Sequence, residues 1–468
     1  MQHRQRKLNT EMIAVILALA WPTMLEQAMQ TAVQYIDTAM VGSLGTYATA
    51  AVGATSTVSW LVGSSTAALG IGFLSYIARS LGAGEREKAS RAAAQSVLVT
   101  LIVGTLFTAV CLGFSNQIPR WMRVDAEIAP LASQYFFILY APMLPRTAST
   151  IFGMVLRSAG DTKTPMKIGV LVNVLNVVLN FLMIYPTRTI WGITVPGLGL
   201  GVIGAALASA AAFTVGGIAM TVVLWKHTVI SPRGRSMRPD REILGPCLQV
   251  ALPNMLQRFG TSLGYVFFAS MVNSIGEVAI AAHTIANTVE SAFYIPGYGM
   301  QTAAATLVGN AYGARDSKKM EEIASMFLPV EVILMTVSGA LLYVFAPSLM
   351  EIFSESREVI NLGTTVLRMV ALSEPFYGVS IIVEGMMQGV GKTKLPFVYN
   401  ITGMWGVRII GTYICTQVLH FGLVSAWGCM IGHNMLLFAL FVITYLKGTW
   451  NPLTTVQERR ARRWTRKA

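Results

Sequence analysis

Asp37 stands near the end of a long apolar stretch over 12–41. An ionised side chain at the bilayer centre costs at least about 2.5–3.5 kcal/mol on insertion scales, so a residue there calls for a functional reason. Two chemistries suit it: taking up H⁺ from the outer side, or pairing with a cationic ligand. The alternative is an interfacial residue that reaches outer water. Asn173, Asn176 and Asn180 recur at spacings of three and four, which fall on one side of a helix. With Gln34 and Asp37 they would form a polar pocket, or else act as hydrogen-bond glue between helices. Glu290 lies centrally in another apolar stretch, as a second binding carboxylate or in an ion pair with Arg258 or another charge. Arg146, Arg258, Arg368 and Arg408 are expected to pair with Glu374, Glu384, Glu331 and neighbours. Glu26 is open between cavity lining and packing. Met29, Tyr35, Phe293, Tyr294, Tyr298 and Met300 suit a tolerant apolar cavity, although packing or lipid contact is the commoner role for any one of them. Pro22 and Pro253 leave carbonyls unpaired and permit a kink. Bending at Pro22 would couple Asp37 to the shape of the cavity; ordinary helix curvature is the alternative.

Such groups need lipid-embedded helices to hold them, and the composition supplies these. Of 468 residues, 54% are apolar and 12% charged, against about a quarter charged in a soluble domain. That excludes a soluble enzyme, a disordered chain and a disulfide scaffold. The net charge of +13 fits loops retained inside the cell better than nucleic-acid binding. Cys111, Cys247, Cys415 and Cys429 and the five histidines show no ligand spacing, so no metal site, cofactor or disulfide is expected. The first apolar segment follows Arg4, Arg6 and Lys7 without a small-residue cleavage site and reads as a membrane helix. Twelve spans are predicted, over 12–41, 48–78, 92–114, 130–155, 165–185, 199–225, 243–272, 279–309, 323–345, 361–386, 395–418 and 423–446. The loops on the side of the termini hold 27 Lys and Arg, and the opposite loops hold 4, namely Arg120, Arg123, Arg188 and Arg357. Both termini are therefore expected in the cytoplasm.

Shifting the chain by 231 positions aligns it with itself over some 140 residues. Ala20-Trp21-Pro22-Thr23-Met24-Leu25 meets Ala251-Leu252-Pro253-Asn254-Met255-Leu256, and Met40–Gly45 meets Met271–Gly276. Gly82-Ala83 meets Gly313-Ala314, and Gly160-Asp161-Thr162-Lys163-Thr164-Pro165 meets Gly391-Lys392-Thr393-Lys394-Leu395-Pro396. Six spans per half make the halves parallel, the usual build of an alternating-access transporter with its site near the midplane. The same alignment removes a false phosphate loop at Gly391-Lys392-Thr393, whose partner is Gly160-Asp161-Thr162 and whose first required Gly is replaced by Met386. With no nucleotide site, an ion gradient must drive transport.

On Asp37-Thr38-Ala39-Met40-Val41-Gly42, Gly82-Ala83-Gly84, Leu156–Thr162 and Pro253, the chain resembles the multidrug and toxic compound extrusion (MATE) family over nearly its whole length. The resemblance implies twelve helices in two six-helix lobes and export of organic, often cationic, compounds in exchange for H⁺ or Na⁺. It places the family's acidic site of the first helix on Asp37, where a Na⁺ ion is the alternative to H⁺. It finds no acid in the seventh helix, puts Tyr377 at the tenth-helix acid of NorM-like members, and puts Asn180 where DinF-like members often carry Asp. The expected fold is therefore an all-α membrane protein: an N-lobe over 1–225, a linker over 226–242, a C-lobe over 243–446 and a basic tail over 447–468. Asp37, Asn176 and Asn180 are assigned to ion or proton coupling. Gln34, Tyr35, Asn173, Glu290, Tyr294 and Met300 are assigned to substrate, and Pro22 and Pro253 to kinks. The expected partners are small organic cations, H⁺ or Na⁺ and the bilayer, with the chain acting as a monomer in a bacterial inner membrane. A flippase for lipid-linked precursors is the alternative function; it would line its cavity with several Arg.

Overall fold

The structure is a computed structural model and describes residues 2–121, 125–190 and 193–454. Most of the expected basic tail, from 455 on, and Arg123 of an expected external loop lie outside the described residues. The first half runs α1 (Gln2–Gly42), α2 (Thr46–Gly82), α3 (Arg86–Gly113), a one-turn α4 (Ile118–Trp121), α5 (Ala129–Tyr140), α6 (Met143–Ser158) and α7 (Lys163–Ile184). An antiparallel hairpin of β1 (Pro186–Ile190) and β2 (Ile193–Leu198) leads to α8 (Gly201–Lys226). The second half runs α9 (Arg241–Asn273), α10 (Glu277–Gly313), α11 (Ser317–Phe353), α12 (Arg357–Ala371) and α13 (Glu374–Gly389). It ends with α14 (Lys394–Ile401), α15 (Ile410–Tyr413) and α16 (Leu423–Leu446). π-helical stretches at Thr402–Ile409 and Ile414–Val418 flank α15.

Each of the twelve expected spans falls on one helix or one broken helix. Among the described residues, seven helices are long and apolar enough by themselves to cross a bilayer, and the pair α12 and α13, bent by 52°, makes an eighth. The remaining spans fall on α5 with α6, α9, α10 and the column from α14 to the second π stretch, where polar side chains or breaks dilute the hydropathy. The small hairpin departs from the all-helical expectation. It occupies the connection between the fifth and sixth spans, where β-branched Thr187, Thr189, Thr194 and Val195 favour extended backbone.

The repeat recurs in the backbone. Gly160 and Gly391, 231 positions apart, both have φ +84°. Each lies in a turn in which an amide closes back onto a carbonyl five residues earlier: Asp161 N to Leu156 O at 3.1 Å, and Lys392 N to Met387 O at 2.8 Å. That six-residue closure with a left-handed glycine is how a helix end satisfies its last carbonyls. The fourth span of each half also breaks at matching places, after Tyr140 and after Ala371.

The chain forms two compact units. One comprises Leu25–Ile77 and Glu85–Leu248; the other comprises the described residues up to Met24, Ala78–Gly84 and the described residues from Gln249. In the second, Ile16 and Ala20 join a core with Met300, Phe327, Met386 and Phe441, while Trp427, Val366 and Leu367 centre another. A reciprocal contact lies within this unit: a side chain on Gly82 would strike the backbone of Asn310, and one on Gly313 would strike the backbone of Arg79. Asn310 is the repeat partner of Arg79, so the two contacts mirror each other. In the first unit the core holds Val41, Phe136, Tyr140, Met143, Ile184 and Val202. Glycines on α8 let α7 and α6 approach closely, since a Cβ on Gly204 would meet Met183 and one on Gly217 would meet Pro145.

The reciprocal glycine contact gives a direct test. Gly82→Leu is expected to destabilise the purified protein by about 1–3 kcal/mol through overpacking. Gly113→Leu, where an added Cβ meets nothing within 4 Å, should leave thermal unfolding nearly unchanged.

Candidate functional site

The first unit brings α1, α7 and α8 together around one carboxylate. Asp37 is half-buried near the end of α1. Asn180 on α7 donates its amide to Asp37 Oδ1 at 2.6 Å. One turn earlier, Asn176 stands between Asp37 and Ser209 of α8. The orientation that satisfies both ends sends its NH₂ to Asp37 Oδ1 and Oδ2, at 2.9 and 3.1 Å, and lets its carbonyl accept from Ser209 Oγ at 3.0 Å. Asn176 and Asn180 are buried, and the carbonyl oxygen of Asn180 has no partner. The result is a line of side chains from Ser209 to Asp37 in which neutral amides cradle a negative charge without cancelling it. Asn173 lies buried on the same side of α7, one turn further from Asp37. Gln34 and Tyr35 precede Asp37 on α1 and are exposed. Pro22 and Pro253 are enclosed in the continuous helices α1 and α9.

Of the candidates in the second unit, Glu290 is buried on α10 at 6% exposure. Tyr294 sets its ring edge-on to Tyr298 and Tyr377, at 6.0 and 6.2 Å, and the hydroxyls of Tyr298 and Tyr377 are 3.2 Å apart. Met300, expected to face substrate, is 0% exposed and packed in the core around Phe327.

Among the described residues the expected arginine–glutamate pairs make no direct ion-pair contact; these guanidinium groups settle on aromatic faces and neutral acceptors. Arg146 lies over Phe213 at 4.6 Å, and Arg408 over Phe268 and Tyr265 at 4.4 and 4.7 Å. Arg368 lies over Tyr343 at 5.2 Å and donates to its carbonyl at 3.3 Å. Arg258 donates to Asn254 Oδ1 at 2.9 Å, not to Glu290. A ring face offers a cation electrostatic attraction without a second charge to desolvate. Glu331 and Glu374 are buried, both oxygens of Glu331 lack hydrogen-bond partners, and so does Oε2 of Glu374.

Two polar contacts were not visible from sequence spacing. Glu26 of α1 forms an ion pair with Arg157 at the end of α6, and Gly169 of α7 leaves room for it, since a Cβ there would lie 3.0 Å from Glu26 Cγ. In the second unit, Glu384 of α13 accepts from Gln257 at 2.9 Å, Gln388 at 3.2 Å and Asn400 at 3.3 Å. The only signal for either was the repeat, which superposes Glu26 on Gln257 and Arg157 on Gln388.

Residues 22–182 and 253–414 both match the MatE family model, once in each half. A probable multidrug resistance protein NorM from Thermotoga maritima is 26% identical over 447 residues, covering 96% of this chain and 95% of that protein. Among solved structures, a MATE in complex with MaD3S is similar with a TM-score of 0.87 at 26% identity, over 94% of this chain and 97% of that one. A MATE in a bent conformation is similar with a TM-score of 0.85 at 25% identity, over 98% and 99% of the two chains.

The ion pair of Glu26 with Arg157 tests this geometry. Arg157→Met should cost about 1–3 kcal/mol, because it leaves the half-buried Glu26 carboxylate without its cation. Adding Glu26→Gln to it should restore most of the loss in thermal unfolding.

Proposed function

Since this chain belongs to the MatE family of transporters, we propose that it exports organic, often cationic, compounds across the cell membrane in exchange for H⁺ or Na⁺. The observation that carries this reading is the Asp37 carboxylate held by the amides of Asn176 and Asn180. A negative charge that its hydrogen-bond donors do not neutralise is open to one positive partner: a proton, a Na⁺ ion or the charged group of a substrate. It cannot hold two of these strongly. Ion binding from outside therefore expels substrate, and this differential affinity is what a two-state change requires. The multidrug resistance name of the Thermotoga relative supports small organic substrates.

The moving bodies would be the halves over 1–225 and 243–446, with both termini cytoplasmic, as the 27-to-4 distribution of Lys and Arg suggests. Pro22 and Asp37 share α1, fifteen residues apart, about 22 Å along the axis. A bend at Pro22 would thus reorient the carboxylate relative to α7. Exchange of one monovalent cation for one H⁺ moves no net charge. The voltage term of about 2.3 kcal/mol per 100 mV then drops out, and the drive is about 1.4 kcal/mol per pH unit. The flippase alternative asks for arginines lining a cavity; Arg146, Arg368 and Arg408 instead sit on aromatic faces, which favours the exporter.

Vesicles preloaded with a fluorescent cationic dye, given an imposed H⁺ or Na⁺ gradient, should show efflux that falls at least tenfold in Asp37→Asn. Unchanged gradient-driven efflux in that variant would remove Asp37 from the mechanism.

A further inference from the structure

The linker over 226–242 lies between the two copies of the repeat, and α3 holds it in a fixed shape. Gln95, buried at 2% exposure on α3, is the clasp. Its Nε2 donates to the Arg238 carbonyl at 2.8 Å, and its Oε1 accepts from the Asp240 amide at 3.1 Å. Arg91, one turn earlier on α3, forms an ion pair with Asp240, and Ser90 donates to the carbonyl of Ser231. A shift of 231 puts Glu322 and Met326 at the places of Arg91 and Gln95. The second half therefore carries no such clasp on α11.

Between the clasped linker and α3 lies a cavity of about 650 Å³, wholly within the first unit, whose lining includes Arg91, Gln95, Arg235, Arg238, Asp240 and Arg241. The segments 85–91 and 231–242 hold seven Lys and Arg against four Asp and Glu. The acids are already engaged. Asp240 pairs with Arg91, Glu87 with Arg235 at 3.0 Å and Glu85 with Lys88 at 2.8 Å. Glu242, also in the lining, is close enough to Lys88 to act on its charge. Arg238 and Arg241 are exposed and make no ion pair among the described residues. Their planar forks of N–H donors match the oxygens of a phosphate. What that phosphate is attached to follows from the helices that carry the cavity. Leu248 lies seven residues beyond Arg241 on α9, and Ile102 lies eleven beyond Arg91 on α3. These spacings are close to two and three whole turns, so each arginine stands over an apolar residue on its own side of the helix. Leu248 and Ile102 are both exposed, and so is Met237 beside Arg238 in the linker. A free anion would use the arginines alone, whereas a phospholipid would also lay its chains along the apolar residues.

We propose that this pocket binds the phosphate headgroup of an anionic phospholipid, with Arg238 and Arg241 as its principal contacts. Basic pockets at the ends of membrane helices attract such headgroups. The site does not rest on the transported compound, the coupling ion or the side of the membrane on which the linker lies. Native mass spectrometry of the full chain in a non-ionic detergent counts the lipids retained as dioleoyl phosphatidylglycerol or dioleoyl phosphatidylcholine is titrated in. Wild type should retain one phosphatidylglycerol more tightly than phosphatidylcholine. Arg238→Ala combined with Arg241→Ala should weaken that retention roughly tenfold or more, and removing two exposed, unpaired side chains should leave the fold intact. Lys318→Ala combined with Lys319→Ala, which takes two exposed cations from a different turn, should leave retention unchanged. Equal losses in the two double variants would reduce the effect to overall surface charge and overturn the proposal. So would equal retention of the two lipids by wild type. Displacement of the lipid by excess inorganic phosphate would also overturn it, because a free anion would then be the occupant.

Discussion

Two amide groups on one helix hold a carboxylate on another, and the arrangement of the first unit follows from that contact. Inside hydrocarbon no water is available to solvate a charged side chain, so its partners must be built in. Asn176 and Asn180 can reach Asp37 because α7 presents them one turn apart on a single side. The small residues of α8 seat that helix close against α7, which brings Ser209 within 3.0 Å of Asn176 and fixes the amide that Asp37 receives. Packing of Gly204 against Met183 and of Gly216 against Val172 thus governs the geometry of a polar site one to two turns away. The carboxylate stays half-buried and its charge is not cancelled, so it remains receptive to a cation.

Duplication supplied the frame, and divergence supplied the chemistry. Turn geometry is preserved to the degree at Gly160 and Gly391, and a left-handed residue recurs at Gly84 and at Arg315, with φ +76° and +55°. The site residues have no such echo. The repeat partner of Asp37 is Phe268, 1% exposed and packed in an apolar core, while Asn176 and Asn180 correspond to Val407 and Gly411. One half therefore carries the open carboxylate, and the other uses the same frame for aromatic packing around Arg408. The helix ends near Gly82 and Gly313 still meet through reciprocal contacts, where substitution is tightly constrained in both copies at once.

Much of this was legible in the chain. The twelve apolar stretches, the gapless repeat and the shared face of Asn173, Asn176 and Asn180 are local patterns, and local patterns survive folding. Contacts across the chain were not legible. Glu26 and Arg157 are 131 positions apart, and Arg157 counts as a loop cation until the end of α6 is seen to turn it inward. Charge counting alone paired the intramembrane arginines with glutamates, because it assigns no value to a ring face such as Phe213 or Phe268. Met300 carries the composition of a cavity residue, yet it lies on the packed side of α10. The π-helical turns around α15 have no periodic signature, since one extra residue per turn changes no residue type.

The central claim is that a cation and a substrate compete for one carboxylate. It is tested most directly by equilibrium binding of a fluorescent organic cation to the purified protein while H⁺ or Na⁺ is titrated. Competition predicts that the apparent Kd for the dye rises in proportion to ion concentration, with a reciprocal loss of ion affinity as dye is added. Simultaneous binding, with neither affinity altered by the other ligand, would contradict the account.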